Sequence, residues 1–456
     1  YNALSSFALH PVYLNLLSLP NFKKYLDLVK EVTSLIKLNN QKKIDYPLVA
    51  NKKENILSLY LDREYANLIQ NKDFSDFLLK EQSWLEPYGL FKSLKKVFPQ
   101  AFWQWPKELR NFTSARQHSL SKGLDKHIKK EFLKQFFCFQ QLKMAKDHAT
   151  ENNILLKGDL PILIRKDSSD VWNAPYLFNT KLDVGSPPDQ YSPEGQNWGF
   201  PLYNWKEHFN NNYSWWKHRL RLAENFYHLF RMDHIAGLFR LWTIPKGEKP
   251  HKGFYLPKKE EEWEILGNQI LNKFLDISDL LPIGEDLGTV PPCTRDTMKT
   301  LGICGTKVVR WEQDWEKKEF IPLKDYPLLS LTCLSTHDSE TLAQWWKNSP
   351  EESKQFANLY FIDWKPSLCK ETRLSLLKLS HESNSLFHIN LLSEYLALFP
   401  ELSRDNPKDE RINIPGTISK ENWTCRMKTP LEELTKHNDL HNLMTTLCNQ
   451  HHATCS

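Results

Sequence analysis

Three short apolar runs in this chain each end in an acid, and the ends are evenly spaced. Phe226-Tyr227-His228-Leu229-Phe230 leads to Asp233, Leu281-Pro282-Ile283-Gly284 to Glu285, and residues 329–335 to Asp338. The intervals are 52 residues (233 to 285) and 53 residues (285 to 338). A strand, a helix and the returning parallel strand take ~30 residues or more, so each interval has room for one or two such units. Polar residues gathered just after successive strands point to a parallel α/β architecture, whose functional groups lie at the carboxyl ends of the strands. A doubly wound sheet would want a glycine-rich phosphate loop, and neither G-x-G-x-x-G nor G-x-x-x-x-G-K-[ST] occurs. A (β/α)8 TIM barrel is therefore expected, with all three acids facing one mouth.

The chemistry begins at Arg231-Met232-Asp233-His234. At a strand end, alternation puts Arg231 and Asp233 on one face and Met232 on the other. An arginine beside a carboxylate keeps it ionised, as a carboxylate nucleophile must be. Taken alone, the same pair also reads as a structural ion pair closing a loop. Two carboxylates flanking a bond are the apparatus of glycoside chemistry. A third acid beside a histidine can hold sugar hydroxyls and stabilise an oxocarbenium-like transition state.

Around these runs, residues 21–150 carry apolar residues at three- and four-residue spacings and read as mostly helical. Residues 154–164 read as the first buried strand, and 183–205 as a long Pro-, Gly-, Asn- and Trp-rich loop of the functional kind. Lys307-Val308-Val309-Arg310-Trp311 reads as a strand, residues 340–400 as helical, Arg411-Ile412-Asn413-Ile414-Pro415-Gly416 as a last strand-to-loop signal, and the tail after Leu447 as frayed. The aromatic load of 16 Trp, 16 Tyr and 25 Phe exceeds what a core alone needs and suits sugar recognition, where flat rings pack on apolar sugar faces. Net charge is +5 with no basic stripe, which speaks against nucleic acid. No run approaches the ~20 apolar residues of a membrane span. The eight cysteines are scattered without a C-x-x-C, as in a reduced cytoplasmic protein without a zinc site.

Arg231-Met232-Asp233-His234, Gly284-Glu285-Asp286 and Thr336-His337-Asp338, in that order, resemble the catalytic regions of the α-amylase clan. Longer stretches resemble one branch of it, the 4-α-glucanotransferases of glycoside hydrolase family 77 (amylomaltase, or disproportionating enzyme). These are Gly158-Asp159-Leu160-Pro161-Ile162, Asp167-Ser168-Ser169-Asp170-Val171-Trp172, Gly185-Ser186-Pro187-Pro188-Asp189, Gly195-Gln196-Asn197-Trp198-Gly199 and Arg411 to Thr417. The resemblance runs from Tyr1 to about Glu433.

The resemblance implies a retaining mechanism, with Asp233 as nucleophile, Glu285 as general acid then base, and Asp338 as transition-state stabiliser supported by His337 and Arg231. It implies sugar contacts from Asp159, Asn413, Gln196, Trp198 and Tyr1, the last matching the tyrosine of a Ser-Pro-Tyr motif, and from Asp314. It implies no metal and no cofactor, with maltooligosaccharides or α-1,4-glucans as donor and acceptor. By the same comparison the chain supplies barrel strands three to eight over residues 151–447, with 21–150 as a helical insertion in one catalytic domain over 1–456. The first two strands are missing, as in an N-terminally incomplete fragment. Trp172 and Trp198 read equally as core aromatics, Asp170 and Asp189 as loop caps. Asp286 either raises the pKa of Glu285 or turns away into a structural contact. A hydrolase of the same clan and a glucan-binding protein without turnover are the competing functions.

Overall fold

The computed structural model describes residues 3–188, 192–314, 316–417 and 419–454; Tyr1 and Asp189 lie outside them. The chain forms two compact units. The first comprises Tyr1–Ile36, Pro47–Pro282 and Pro291–Thr297, the second Lys37–Tyr46, Ile283–Val290 and Met298–Ser456.

The first unit opens with the expected helices, the longest being Tyr46–Ile69, Lys72–Val97 and Asp125–Glu151. Asn71 caps Lys72–Val97 by accepting the Phe74 N–H at 3.0 Å. Asp73 in its first turn and Lys95 and Lys96 in its last complement the helix dipole. This helix packs closely on Asp125–Glu151 at Gly89, where a Cβ would overlap the Phe132 ring. Between them lies a buried charge cluster: Glu131 and Lys134 pair at 2.8 Å with side chains 2% and 3% exposed, and Lys96 reaches Glu131 at 3.0 Å. A separate apolar cluster of Phe91, Leu94, Trp105 and Leu109 encloses Trp172, which is fully buried and donates its Nε1–H to Leu109 O at 2.9 Å. Trp172 is thus a core aromatic.

Strands follow. The first, β1 (Lys157–Pro161), is shorter than the apolar run suggested. Ile154 and Leu155 are exposed, and Ile162 and Ile164 are buried beyond its end. Residues 183–205, expected as a loop, instead belong largely to an antiparallel hairpin of β2 (Phe178–Ser186) and β3 (Gln196–Tyr203). Two register shifts around Val184 hide the alternation. Gly185 permits the close approach, because a Cβ there would strike Gln196 O. Next come β4 (Leu229–Asp233), β5 (Leu241–Pro245) and β6 (Phe254–Leu256). One sheet has the order β3-β2-β5-β6 and is antiparallel. In the other, β1 and β4 pair in parallel, and β4 borders the start of β7 (Leu281–Gly284), where the Leu281 N–H donates to His228 O at 3.5 Å.

The chain enters the second unit along β7. There Ile283 forms a parallel bridge to Cys304, just ahead of β8 (Gly305–Val308), and the Gly284 N–H donates to Cys304 O at 2.8 Å. The strand expected over 307–311 ends at Val308 and rolls into a 3-10 turn over Val309–Trp311. A two-residue ribbon, β9 (Gln313–Asp314) with β10 (Glu319–Phe320), precedes β11 (Ser330–Cys333) and β12 (Phe387–His388). β8, β11 and β12 are parallel, in the order β12-β11-β8. Helices within 340–400 pack Trp345, Trp346, Phe356 and Leu377 into this unit's core. Residues 411–416 form no strand; they make a loop. The described part of the tail is helical: Asn438–Thr454 is one helix, anchored by the fully buried Leu447.

Candidate active site

The first unit assembles its polar cluster from strand register. Asp159 on β1 lies opposite Arg231 on β4, and Pro161 opposite Asp233. Alternation along β4 buries Met232 and leaves Arg231 and Asp233 half-buried on the other face. The guanidinium then forks between two acids: Arg231 Nη2 lies 2.9 Å from Asp233 Oδ1, and Nη1 lies 2.8 Å from Asp159 Oδ2. The side chains of Arg231 and Asp233 are only 13% and 22% exposed, whereas Asp159 is 43% exposed. The cation is therefore poorly screened from Asp233.

The residue after β4, His234, is held at φ +55° in the left-handed region. Burial, helped by the Arg240 cation, pushes its imidazole down to about 4, so it is neutral at pH 7. The Trp198 indole meets this ring edge-on, with centroids 5.4 Å apart. Trp198 Nε1–H donates to Gln196 Oε1 at 3.1 Å, so the two hairpin candidates form one pair beside the end of β4. Asp159 also borders a cavity of about 250 Å3 with Arg165, Asp170 and Arg219. Asp170 itself is structural. Its buried carboxylate accepts the Ser6 N–H at 3.0 Å and the Trp215 Nε1–H at 3.1 Å.

The second unit carries the other two acids. Glu285 follows the last residue of β7 and is half-buried. Its neighbour Asp286 is buried and accepts the Thr306 N–H at 2.7 Å, so it ties the end of β7 to β8. Beyond β11, the Asp338 N–H donates to Thr336 Oγ1 at 3.2 Å. Asn413 clamps this turn from the loop side: its Nδ2 donates to Asp338 Oδ1 at 2.8 Å and its backbone N–H to His337 O at 3.1 Å. His337 Nε2 lies 3.3 Å from Asp338 Oδ2 but out of hydrogen-bond alignment. The candidates His337, Asp338 and Asn413 are therefore in direct contact. Asp314 caps its own turn, accepting the N–H groups of Glu316 and Lys317 at 3.1 Å, and the Lys317 N–H together with the Lys317 ammonium holds its carboxyl below the ordinary range. Among the described residues no group of three or more His, Cys, Asp or Glu side chains could hold a metal ion.

One neighbour escaped the sequence reading. The Trp423 ring packs on His337 with centroids 5.1 Å apart. No periodicity signals it, because the loop that delivers it closes through hydrogen bonds between residues ten or so apart.

Residues 1–432 match the sequence pattern of glycoside hydrolase family 77, described as 4-alpha-glucanotransferase. The chain belongs to that family. A 4-alpha-glucanotransferase of Chlamydia pneumoniae is 45% identical over 443 residues, covering 96% of this chain and 83% of its own length. That of Chlamydia muridarum is 41% identical over 452 residues, covering 98% and 84%. Among solved structures, the amylomaltase of Streptococcus agalactiae in complex with acarbose superposes with a TM-score of 0.79 at 23% identity, over 98% of this chain and 88% of that one. The α/β fold is thus amylomaltase-like, the chain is an enzyme, and its activity is 4-alpha-glucan transfer. Among the described residues no helix is long and apolar enough to cross a membrane.

Proposed function

We propose that the enzyme transfers a segment of a 1,4-α-glucan to the 4-position of an acceptor glucose or glucan by retaining double displacement. An Asp233 carboxylate oxygen attacks the anomeric carbon, the glycosidic C–O bond breaks, and the leaving oxygen takes a proton from Glu285. The acceptor 4-hydroxyl then gives its proton to Glu285 and attacks the same carbon, releasing Asp233. Asp338 stabilises the positive charge that develops on the sugar ring in both steps. Arg231 keeps Asp233 ionised. His337, Asp159, Gln196, Trp198 and Asn413 contact sugars, as do Tyr1 and Asp314. Donors and acceptors are maltooligosaccharides or larger α-1,4-glucans.

The observation that carries this reading is the Arg231 fork on Asp233 at a strand's carboxyl end, within a chain of this family. The same reading takes β1, β4, β7, β8, β11 and β12 as strands three to eight of a (β/α)8 barrel, supported by their parallel pairings and by the acids that follow β4, β7 and β11. A cytoplasmic location belongs to the proposal and rests on the scattered cysteines, of which the described ones are all thiols. Maltotriose tests the reaction: glucose plus a ladder of longer oligomers is expected, and products shorter than the substrate alone would mean hydrolysis. Asp233→Asn should abolish transfer and retain glucan binding. Retained transfer would remove Asp233 as nucleophile.

A further inference from the structure

Trp423 sits in a loop built to hold it still. Its backbone N–H donates to Ile412 O at 2.7 Å, which closes the loop across its neck. The preceding side chain staples the interior: Asn422 Nδ2 donates to Thr417 O at 3.1 Å and to Ile414 O at 3.4 Å, and Asn422 Oδ1 accepts the Ile414 N–H at 3.3 Å. The staple uses backbone, amide and hydroxyl groups, the Thr417 hydroxyl accepting from Asn422 Nδ2 at 3.1 Å, so the loop does not need an indole to close. Yet position 423 carries the bulkiest side chain available, at φ +62°, a backbone region that a large L residue rarely occupies. Strain of this kind is kept where neighbouring structure imposes it, often at ligand clamps.

The ring is not spent on a core. Trp423 remains 45% exposed. Its ring packs against the His337 imidazole, tilted at 38°. The residue after His337 is Asp338, and Asn413 in the same loop binds both the Asp338 carboxylate and the His337 carbonyl. One loop therefore delivers an amide to the acid and an exposed indole to the histidine beside it. An exposed aromatic plane next to hydrogen-bonding groups is the surface on which the apolar face of a hexose packs.

We propose that Trp423 is a substrate-positioning residue of the transfer reaction, whose exposed indole carries an α-linked glucose ring of the bound glucan beside His337 and Asp338. This rests on the assignment of Asp338 to the site. Steady-state disproportionation of maltotriose and of maltoheptaose by the full-length enzyme tests it, in Trp423→Ala, Trp423→Phe, Trp423→Leu and, as a control on the site, Asp338→Asn. Loss of the ring removes contact made equally to bound substrate and transition state, so KM should rise roughly ten-fold in the Ala and Leu variants while kcat stays within about three-fold. Phe keeps a flat ring and should return KM to within about three-fold of the parent. If Trp423→Ala does not fold, the comparison of Phe with Leu decides alone. An unchanged KM in Leu and Ala, or rescue by Leu as complete as by Phe, overturns the proposal. An inactive Asp338→Asn together with an unchanged KM at position 423 sinks this inference and leaves the site standing. Undiminished turnover in Asp338→Asn removes the site assignment and this inference with it.

Discussion

Replacing Arg231 by Gln removes one cation from between two carboxylates while keeping a polar side chain of similar reach. Arg231 and Asp233 are in contact at 2.9 Å, which puts the charge centres roughly 4 Å apart. Such a pair is worth about 1 kcal/mol in bulk water and about 4 kcal/mol at the effective dielectric of a protein surface. With side chains 13% and 22% exposed, this pair belongs toward the upper figure, but solvent reaches it. A loss of about 2–3 kcal/mol is expected, or roughly 30- to 150-fold in kcat/KM. The second consequence is more diagnostic. Without the Arg231 cation the ionised form of Asp233 loses stabilisation, so the acid limb of the kcat/KM profile should move to higher pH. Glucose release from maltotriose across pH 4–8 measures both. Arg231→Lys keeps the charge but cannot fork to two acids, so it should fall between the parent and Gln. A Gln variant within three-fold of the parent, with the acid limb unmoved and an unchanged melting temperature, would refute the role of Arg231.

Asn413→Ala removes a hydrogen bond to a charged group and should lower kcat/KM by roughly 10- to 100-fold, read in the same assay, with little change in thermal stability. Glu131→Gln removes one of the two carboxylates on the buried Lys134, which keeps Glu54 at 2.6 Å, and should cost about 1–3 kcal/mol in urea unfolding. In the parent, burial would raise the Glu131 carboxyl, but the Lys134 and Lys96 cations outweigh it and hold it below its ordinary value. The stability it contributes is therefore complete above the unfolded carboxylate value of about 4.3 and drains away as pH falls through the lower folded value. Stability of Glu131→Gln should vary less over that acidic window. Gly89→Ala should gain about 1 kcal/mol of helix propensity but lose roughly 1–3 kcal/mol to overlap with Phe132, so net destabilisation is expected in denaturant melts.

Signals within one element were legible in the sequence, and signals between elements were not. Alternation alone placed Arg231 and Asp233 together against a buried Met232, because three consecutive strand residues suffice for that. The helices within 21–150 were legible for the same reason. The second arm of the Arg231 fork was not. It depends on β1 lying in register with β4 across 72 residues of chain, which no local pattern encodes. The β2–β3 hairpin was hidden by its own devices. Bulges near Val184 and glycines at 185, 195 and 199 break the period-2 pattern that would have revealed it. Trp172 and Trp198 were indistinguishable as letters. Packing separates them, one sealed among Phe91 and Trp105, the other half-buried against His234.

The adjacent acids at the end of β7 show how much one residue of register decides. As neighbours in sequence, Glu285 and Asp286 suggested mutual repulsion that would favour a protonated acid. Successive residues at a strand end point to opposite sides, so two adjacent carboxylates are poorly placed to share an environment. Asp286 is instead engaged by the Thr306 N–H, and Gly305 beside it leaves room for the carboxylate to approach the β8 backbone. The Thr306 hydroxyl returns the link by donating to Gly284 O at 2.9 Å. This reciprocal tie fixes the residue on each side of Glu285. In the role proposed for Glu285 a general acid must hold its proton donor within a few tenths of an ångström of the leaving oxygen, so anchoring its two neighbours would serve catalysis through position alone. On this reasoning Asp286→Asn, which can still accept the Thr306 N–H, should leave the pH profile of transfer in place. Asp286→Ala should lower kcat by loosening the end of β7. A displaced basic limb in the Asn variant would show instead that the two carboxylates are coupled electrostatically.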